Sequence, residues 1–211
     1  SVAAFAKRAV DFYAKYPELE NVASICVYPS FVETVGLAVD GSPMRITSVA
    51  AGFPASQTFL EVKMLEVAMA VENGADEVDI VLNVGKMLTG AYDEAAAEVE
   101  TIRSEMDSDV ILKVIIETCL LTDEEKIALC KAVTNAGADY IKTSTGFSTA
   151  GATFHDVELF AKYTEGKCKI KAAGGIRTRE DMEKFIALGA DRLGTSRVVK
   201  IAKGLANDGT Y

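Results

Sequence analysis

Asp79, Lys113, Lys142 and Lys171 each sit inside a short apolar run where an ionisable side chain is out of place. Their neighbours alternate in character. Around Asp79, the residues Val78, Ile80 and Leu82 form one apolar face, and the two-residue period of a strand leaves Asp79, Val81 and Asn83 on the other. The same parity sets Lys113, Ile115 and Glu117 against Leu112, Val114 and Ile116. It turns Lys142 away from Ile141, and Lys171 away from Ile170 and Ala172. If the apolar faces pack on helices, the charged faces meet in one interior.

Lysine is almost never fully buried unless paired. Such an interior is either a structural salt-bridge network or a reactive site. Lys142 and Lys171 fall on consecutive strand candidates, and adjacent strands run about 4.8 Å apart. A second cation at that range depresses an amine's pKa, and partial desolvation acts in the same direction. An unprotonated lysine attacks carbonyls and forms a Schiff base. A structural network would match its charges instead of crowding two cations, so the pattern favours chemistry.

Glycines supply a second signal. Gly146, the pair Gly174-Gly175, and Gly194 fall at the C-terminal ends of late strand candidates, with Ser196 opening the last helix and Arg177 and Arg197 close by. A single glycine pair is ordinarily a tight turn. Three clusters on one rim instead suit an anion, which backbone amides and a helix N-terminus can hold.

These residues need elements to position them. One phrase recurs three times: Asn73-Gly74-Ala75-Asp76, Ala136-Gly137-Ala138-Asp139 and Leu188-Gly189-Ala190-Asp191. Each follows an amphipathic stretch and precedes a β-rich run, as a helix-terminating glycine leading into a strand would. Seven strands are predicted, over 22–28, 45–53, 77–83, 110–118, 140–146, 169–175 and 191–196. Helices are predicted over 2–16, over 56–72 with Leu60, Met64, Leu65 and Ala68 at helical spacing, from the acidic opening at Asp123, and over 196–205. Alternating strands and helices imply a parallel sheet. The expected fold is α/β, a single TIM (β/α)8 barrel over 1–211, whose N-terminal strand is missing from the chain because an opening helix has no strand before it. The rival, a doubly wound open sheet, calls for a glycine-rich fingerprint in an early turn, and none is present.

Composition narrows the function. With 22 Lys and Arg against 31 Asp and Glu, the formal charge is −9, which disfavours a nucleic-acid surface. No apolar stretch approaches the ~18 residues of a membrane span. Cys26, Cys119, Cys130 and Cys168 show no ligand-like spacing and read as reduced core thiols of a cytoplasmic protein. The single histidine, His155, makes a His-based zinc site unexpected and reads as a surface residue at a helix start. Glu117 and Cys119 close a strand and border the pocket without an assigned role. Tyr28 and Phe53 end early strands near the mouth.

The motifs resemble the deoxyribose-phosphate aldolase family, class I aldolases on a TIM barrel. Gly74 to Asp79 looks like the family's acidic strand, and Leu112 to Thr118 like the strand after it. Lys142-Thr143-Ser144-Thr145-Gly146 is similar to the Schiff-base motif, and Lys171-Ala172-Ala173-Gly174-Gly175 to the second-lysine motif. The resemblance implies cleavage of 2-deoxy-D-ribose 5-phosphate to D-glyceraldehyde 3-phosphate and acetaldehyde. It makes Lys142 the imine-forming nucleophile, Lys171 the residue that tunes it and joins proton transfer, and Asp79 the acid/base partner. Lys113 would border the pocket, and Gly146, Gly174, Gly175, Arg177, Gly194 and Ser196 would bind phosphate. No metal or other cofactor is implied. The partners implied are small phosphosugars and aldehydes, with no nucleic acid or membrane, and a homodimer is left open. One departure stands out: some relatives carry a phosphate-binding lysine where this chain has Phe147. An isomerase on the same barrel, or a non-catalytic phosphosugar binder, would share the glycines without needing the imine.

Overall fold

In the computed structural model, which describes residues 1–203, seven parallel strands form one sheet in sequential order. They are β1 (Ser24–Val27), β2 (Arg45–Ala50), β3 (Glu77–Val81), β4 (Ile111–Ile115), β5 (Tyr140–Lys142), β6 (Lys169–Ala173) and β7 (Arg192–Gly194). The helices are α1 (Val2–Lys15), α2 (Val32–Val39), α3 (Leu60–Glu72), α4 (Val84–Leu88), α5 (Tyr92–Glu105), α6 (Asp123–Asn135), α7 (Phe154–Tyr163), α8 (Arg179–Ala187) and α9 (Val198–Ala202). The sheet curls into a TIM-barrel-like α/β fold. Its edges approach closely enough that Arg192 of β7 donates to the Ser24 hydroxyl of β1 at 3.3 Å. Among the described residues no eighth strand pairs with either edge. Part of the expected last helix, 204–205, lies outside the described residues.

The recurring Gly-Ala-Asp phrase has a structural job. Gly74, Gly137 and Gly189 take φ values of 104°, 82° and 111°, which end the preceding helices. Each aspartate then clamps the neighbouring strand. Asp76, Asp139 and Asp191 accept from the backbone N–H of Ile46, Leu112 and Ile170, each at 2.8 Å, while their own N–H groups return to the carbonyls of the same three residues. The repeat therefore sets the start of pairing on alternate ladders, β2–β3, β4–β5 and β6–β7.

Outward faces of β3 and β4 carry Val78, Ile80, Leu112 and Val114 into one continuous core with Val67, Val99, Leu129 and Phe160 of the surrounding helices. Several strands are shorter than their apolar runs suggest. β2 stops at Ala50 because Ala51, at φ 60°, and Gly52, at φ 73°, turn the chain away. β4 stops before Glu117, which adopts a left-handed φ of 49°. The helix expected over 56–72 begins only at Leu60, since Ser56 is itself left-handed. Its buried face also differs from expectation. Leu60 and Met64 pack on the core, whereas Leu65 and Ala68 face solvent and Lys63 is buried against Glu98 at 2.5 Å. Cys130 and Cys168 are core thiols, each pushed up to about 12 by burial. Cys26 and Cys119 correct the expectation: the first is exposed on a cavity wall and the second is partly exposed beside the Ser148 hydroxyl at 3.3 Å.

Candidate active site

Parity along the central strands delivers charge to the barrel axis. Register pairs Asp79 with Lys113, Ile115 with Lys142, and Lys142 with Lys171. The Asp79 carboxylate is fully buried. Its Oδ2 accepts from Lys142 Nζ at 2.7 Å and Lys171 Nζ at 2.6 Å, while Oδ1 accepts from Lys113 Nζ at 2.9 Å. Beneath lies a second carboxylate that the sequence reading left without a role. Glu77 contacts Lys113 Nζ at 2.5 Å and accepts from both terminal nitrogens of Arg192, at 3.1 and 3.3 Å, and from the Thr47 hydroxyl at 2.9 Å. Glu77 lies two residues before Asp79, and that parity alone would have found it.

Electrostatics separate the groups. Burial alone would raise the Asp79 carboxyl, but Lys142, Lys171 and Lys113 outweigh it and hold the group well below the usual carboxylate range. Burial also leads the shift of Lys142, pushing its amine down; Asp79 opposes this and the cation on Lys171 adds to it. Desolvation is thus the larger cause, ahead of the second cation. Lys171 moves the other way. Burial would lower it, yet the attraction of Asp79 prevails and its amine is raised. Two lysines on one oxygen are therefore driven apart, one toward the neutral form and the other toward the charged form.

Lys142 is held by its backbone on both sides. Its carbonyl accepts from Ile116 N–H, and the next residue, Thr143, donates its N–H to Lys171 and accepts from Ala173 N–H at its hydroxyl. The following loop is tied down by Glu117, which accepts from the N–H and hydroxyl of Thr145.

Both amines open into a cavity of about 950 Å³. Gly146, Gly174, Gly175, Arg177, Gly194 and Ser196 all line it, joined by Arg197 and Cys26. Asp79 and Lys113 lie below it, fully buried. The N–H of Gly174 is already donated to the Gly194 carbonyl at 3.3 Å, and that of Arg177 to Asp181 at 3.1 Å. Neither amide faces an anion unengaged. Gly151 lies so close to Gly174 that an added Cβ would stand 2.4 Å from the Gly174 carbonyl carbon. Phe147 is well exposed and packs with Tyr28 and Phe53 instead of lining the cavity, at ring distances of 6.5 and 5.7 Å. His155 is a surface residue paired with Asp123 at 2.6 Å. Among the described residues no cluster of histidine, cysteine and carboxylate side chains could hold a metal ion, and no helix is long and apolar enough to cross a membrane.

A lysine pushed toward its neutral form, a lysine held toward its charged form and a carboxylate sharing contacts at the floor of a cavity have the means to form an imine and move protons beside it. Comparison with known proteins identifies the family. Residues 5–198 match the model of the DeoC/LacD family of aldolases. The chain is 48% identical over 208 residues to a deoxyribose-phosphate aldolase of Streptococcus agalactiae serotype Ia, covering 94% of this chain and 92% of that one. It is 49% identical over 189 residues to a deoxyribose-phosphate aldolase of Clostridium botulinum, covering 90% and 84%. Among solved structures, an aldolase designated QR15 superposes with a TM-score of 0.85 at 34% identity, covering 96% of this chain and 86% of that one. The tetrameric deoxyribose phosphate aldolase of Aeropyrum pernix gives 0.77 at 31% identity, covering 85% and 75%. By sequence and by fold, the chain belongs to the DeoC/LacD family of aldolases and is a carbon–carbon lyase.

Proposed function

We propose that this aldolase cleaves 2-deoxy-D-ribose 5-phosphate reversibly through a Schiff base on Lys142. The observation that carries the reading is that Lys142 and Lys171 share Asp79 Oδ2 while their amines shift in opposite directions. Neutral Lys142 adds to the C1 aldehyde to give a carbinolamine. The Lys171 ammonium donates the proton with which the hydroxyl leaves as water, and the iminium remains. Breaking C2–C3 then sends its electron pair into the iminium as an enamine, while the C3 hydroxyl gives up its proton and becomes the aldehyde of glyceraldehyde 3-phosphate. Lys171, neutral after its first transfer, is placed to accept that proton and return it to the enamine carbon. Hydrolysis of the resulting iminium consumes one water, frees acetaldehyde and neutral Lys142, and returns the released proton to Lys171, which restores the starting state.

Asp79 is too strongly stabilised as an anion to exchange protons readily itself. Its part in the proposal is to orient both amines and keep Lys171 charged. Positioned acid/base groups contribute about 10²–10⁴-fold. The substrate phosphate is assigned to the rim formed by Gly146, Gly175, Gly194, Ser196 and Arg177, where Ser196 and Arg177 supply side-chain donors. The enzyme is proposed to act in the cytoplasm.

A homodimer completes the proposal. Its surface is the outer face of α3, where Val62, Leu65 and Met69 are exposed at 49%, 61% and 52%. Apolar patches of this kind mark association surfaces.

Reductive trapping tests the chemistry. Acetaldehyde with borohydride is expected to leave an ethyl group on Lys142, read by peptide mass. Label only on another lysine overturns the assignment of Lys142, and turnover of the phosphosugar without a reducible adduct overturns the imine and points to an isomerase-like reaction. Lys142→Arg is expected to fold and to lose more than about 10⁴-fold in kcat, because guanidinium keeps its proton and the loss exceeds an acid/base contribution.

A further inference from the structure

A row of charge runs from Arg192, which itself lines the cavity, down to the buried Glu77 and Lys113 and on to Asp79 beneath the two amines, and the aldol steps give no part to Glu77 or Lys113. Arg192, Glu77, Lys113 and Asp79 follow one another in contact, alternating positive and negative, at 3.1, 2.5 and 2.9 Å. Glu77, Lys113 and Asp79 are each fully buried. As a unit the row is neutral. The charge that Asp79 offers upward to Lys142 and Lys171 is thus largely answered from beneath by Lys113, whose own charge is in turn answered by Glu77.

We propose that Glu77 and Lys113 are positioning residues: this buried pair sets how much negative charge Asp79 retains for the two amines above it, and so lets only one of Lys142 and Lys171 hold a proton. Lys113 also fixes the carboxylate by occupying Oδ1, which leaves Oδ2 as the single oxygen that both amines share. The proposal rests on the aldol reading only in taking Lys142 as the reacting amine. A strand holds residues i and i+2 roughly 7 Å apart. At an effective dielectric of about 20, a unit charge at that range moves an amine by about one pH unit or more.

Other charged groups face the pair from every side. Arg45 of β2 approaches Glu77 at 3.9 Å, Arg192 comes from β7, and the Tyr140 ring of β5 lies 6.0 Å from Lys113 Nζ. Lys142 itself faces Asp79, Lys171 and Cys26. Substitutions confined to residues 77 and 113 leave these side chains in place, but Glu77→Gln also takes the counter-charge from Arg192 and Arg45, so the double variant is the reference against which the Lys113 charge is read.

The test is a charge cycle. Glu77→Gln keeps contacts for Arg192 and Thr47 but leaves the Lys113 charge wholly on Asp79. Lys142 is then expected to lose its proton more easily, and the acid limb of kcat/KM to move down by about one pH unit. Lys113→Met leaves Asp79 with its full charge, and the limb is expected to move up by about as much. The double variant removes a neutral pair and is expected to return close to the parent profile. If Lys113→Met does not fold, the double variant measured against Glu77→Gln isolates the same effect. Shifts of equal sign, or no shift, overturn the proposal, since a merely structural role would lower activity without opposite displacements of the limb. Acetic anhydride labelling of Lys142 as a function of pH reads that amine whether or not it meets an aldehyde. An unmoved labelling profile with normal borohydride trapping sinks the positioning role and spares the aldol reading. Shifted labelling with no trapping at Lys142 sinks the aldol reading and spares the positioning role.

Discussion

Lys142 and Lys171 donate to the same atom, Oδ2 of Asp79, at 2.7 and 2.6 Å. One carboxylate oxygen thus holds two amines side by side at the floor of the cavity. Both amines are nearly buried, so neither can be fully answered by solvent, and the pair behaves as one titrating unit.

Removing the neighbour should therefore change the reacting amine. Lys171→Leu takes away a cation and leaves Oδ2 of Asp79 to Lys142 alone, which then holds its proton to higher pH. The pH optimum is expected to move upward and kcat to fall by about 10²–10⁴-fold, the worth of a lost proton donor. A steady-state pH profile checks both. An optimum that stays in place would show that the second amine does not tune the first.

Asp79→Asn tests stability. The Asp79 carboxyl is held below its usual range, so its stabilisation is complete above the unfolded value, about 3.9, and is lost as pH falls through it toward the folded value. The parent chain is expected to lose unfolding free energy in that acid window. The variant leaves buried ammonium groups without their counter-charge and should be less stable by about 3–5 kcal/mol at neutral pH. It should regain stability toward alkaline pH as those lysines shed protons. Urea unfolding across pH measures both slopes.

Gly151→Ala probes the seam between two loops. The Ala152 N–H donates to the carbonyls of Ala173 and Gly174 at 3.0 and 3.2 Å, and the new methyl group would collide with the Gly174 backbone. A cost of about 1–3 kcal/mol is expected from overpacking. Because Gly174 and Gly175 line the cavity, KM for the phosphosugar should rise more than kcat falls. Thermal melting and steady-state kinetics check the two effects separately.

Leu65→Lys addresses assembly. The side chain is 61% exposed, so the substitution should change chain stability by no more than about 0.5 kcal/mol. A charge in the proposed interface is expected to leave a monomer in light scattering. A variant that keeps the parent's mass in solution would place the contact elsewhere.

Much of the molecule was legible along the chain because strand parity and helix-ending glycines are local rules. The alternation around Asp79, Lys113, Lys142 and Lys171 assigned each to the interior without reference to any distant residue. The repeated Gly-Ala-Asp phrase marked three helix-to-strand turns, although its clamp on the neighbouring strand depends on pairing that no short window contains. Glu77 and Arg192 could have been read from the same parity, two residues from Asp79 and from Gly194. Leu65 misled by its helical spacing, and the burial of Lys63 was not legible, since hydrophobicity alone does not reveal that Glu98 of another helix stands ready to receive an ammonium group.

What the sequence by itself determined was the inventory and its direction: which strands exist, which faces turn inward, and that several cations share one interior with few carboxylates. Which contacts those groups make was decided by tertiary structure. Strand stagger in the curled sheet carries Lys142 and Lys171 onto one oxygen of Asp79, and Lys113 onto the other, although register pairs only Lys113 directly with Asp79. The physical reason is that a strand's period is a property of its own backbone, whereas charge balance at the barrel axis is a sum over strands set by how the sheet closes.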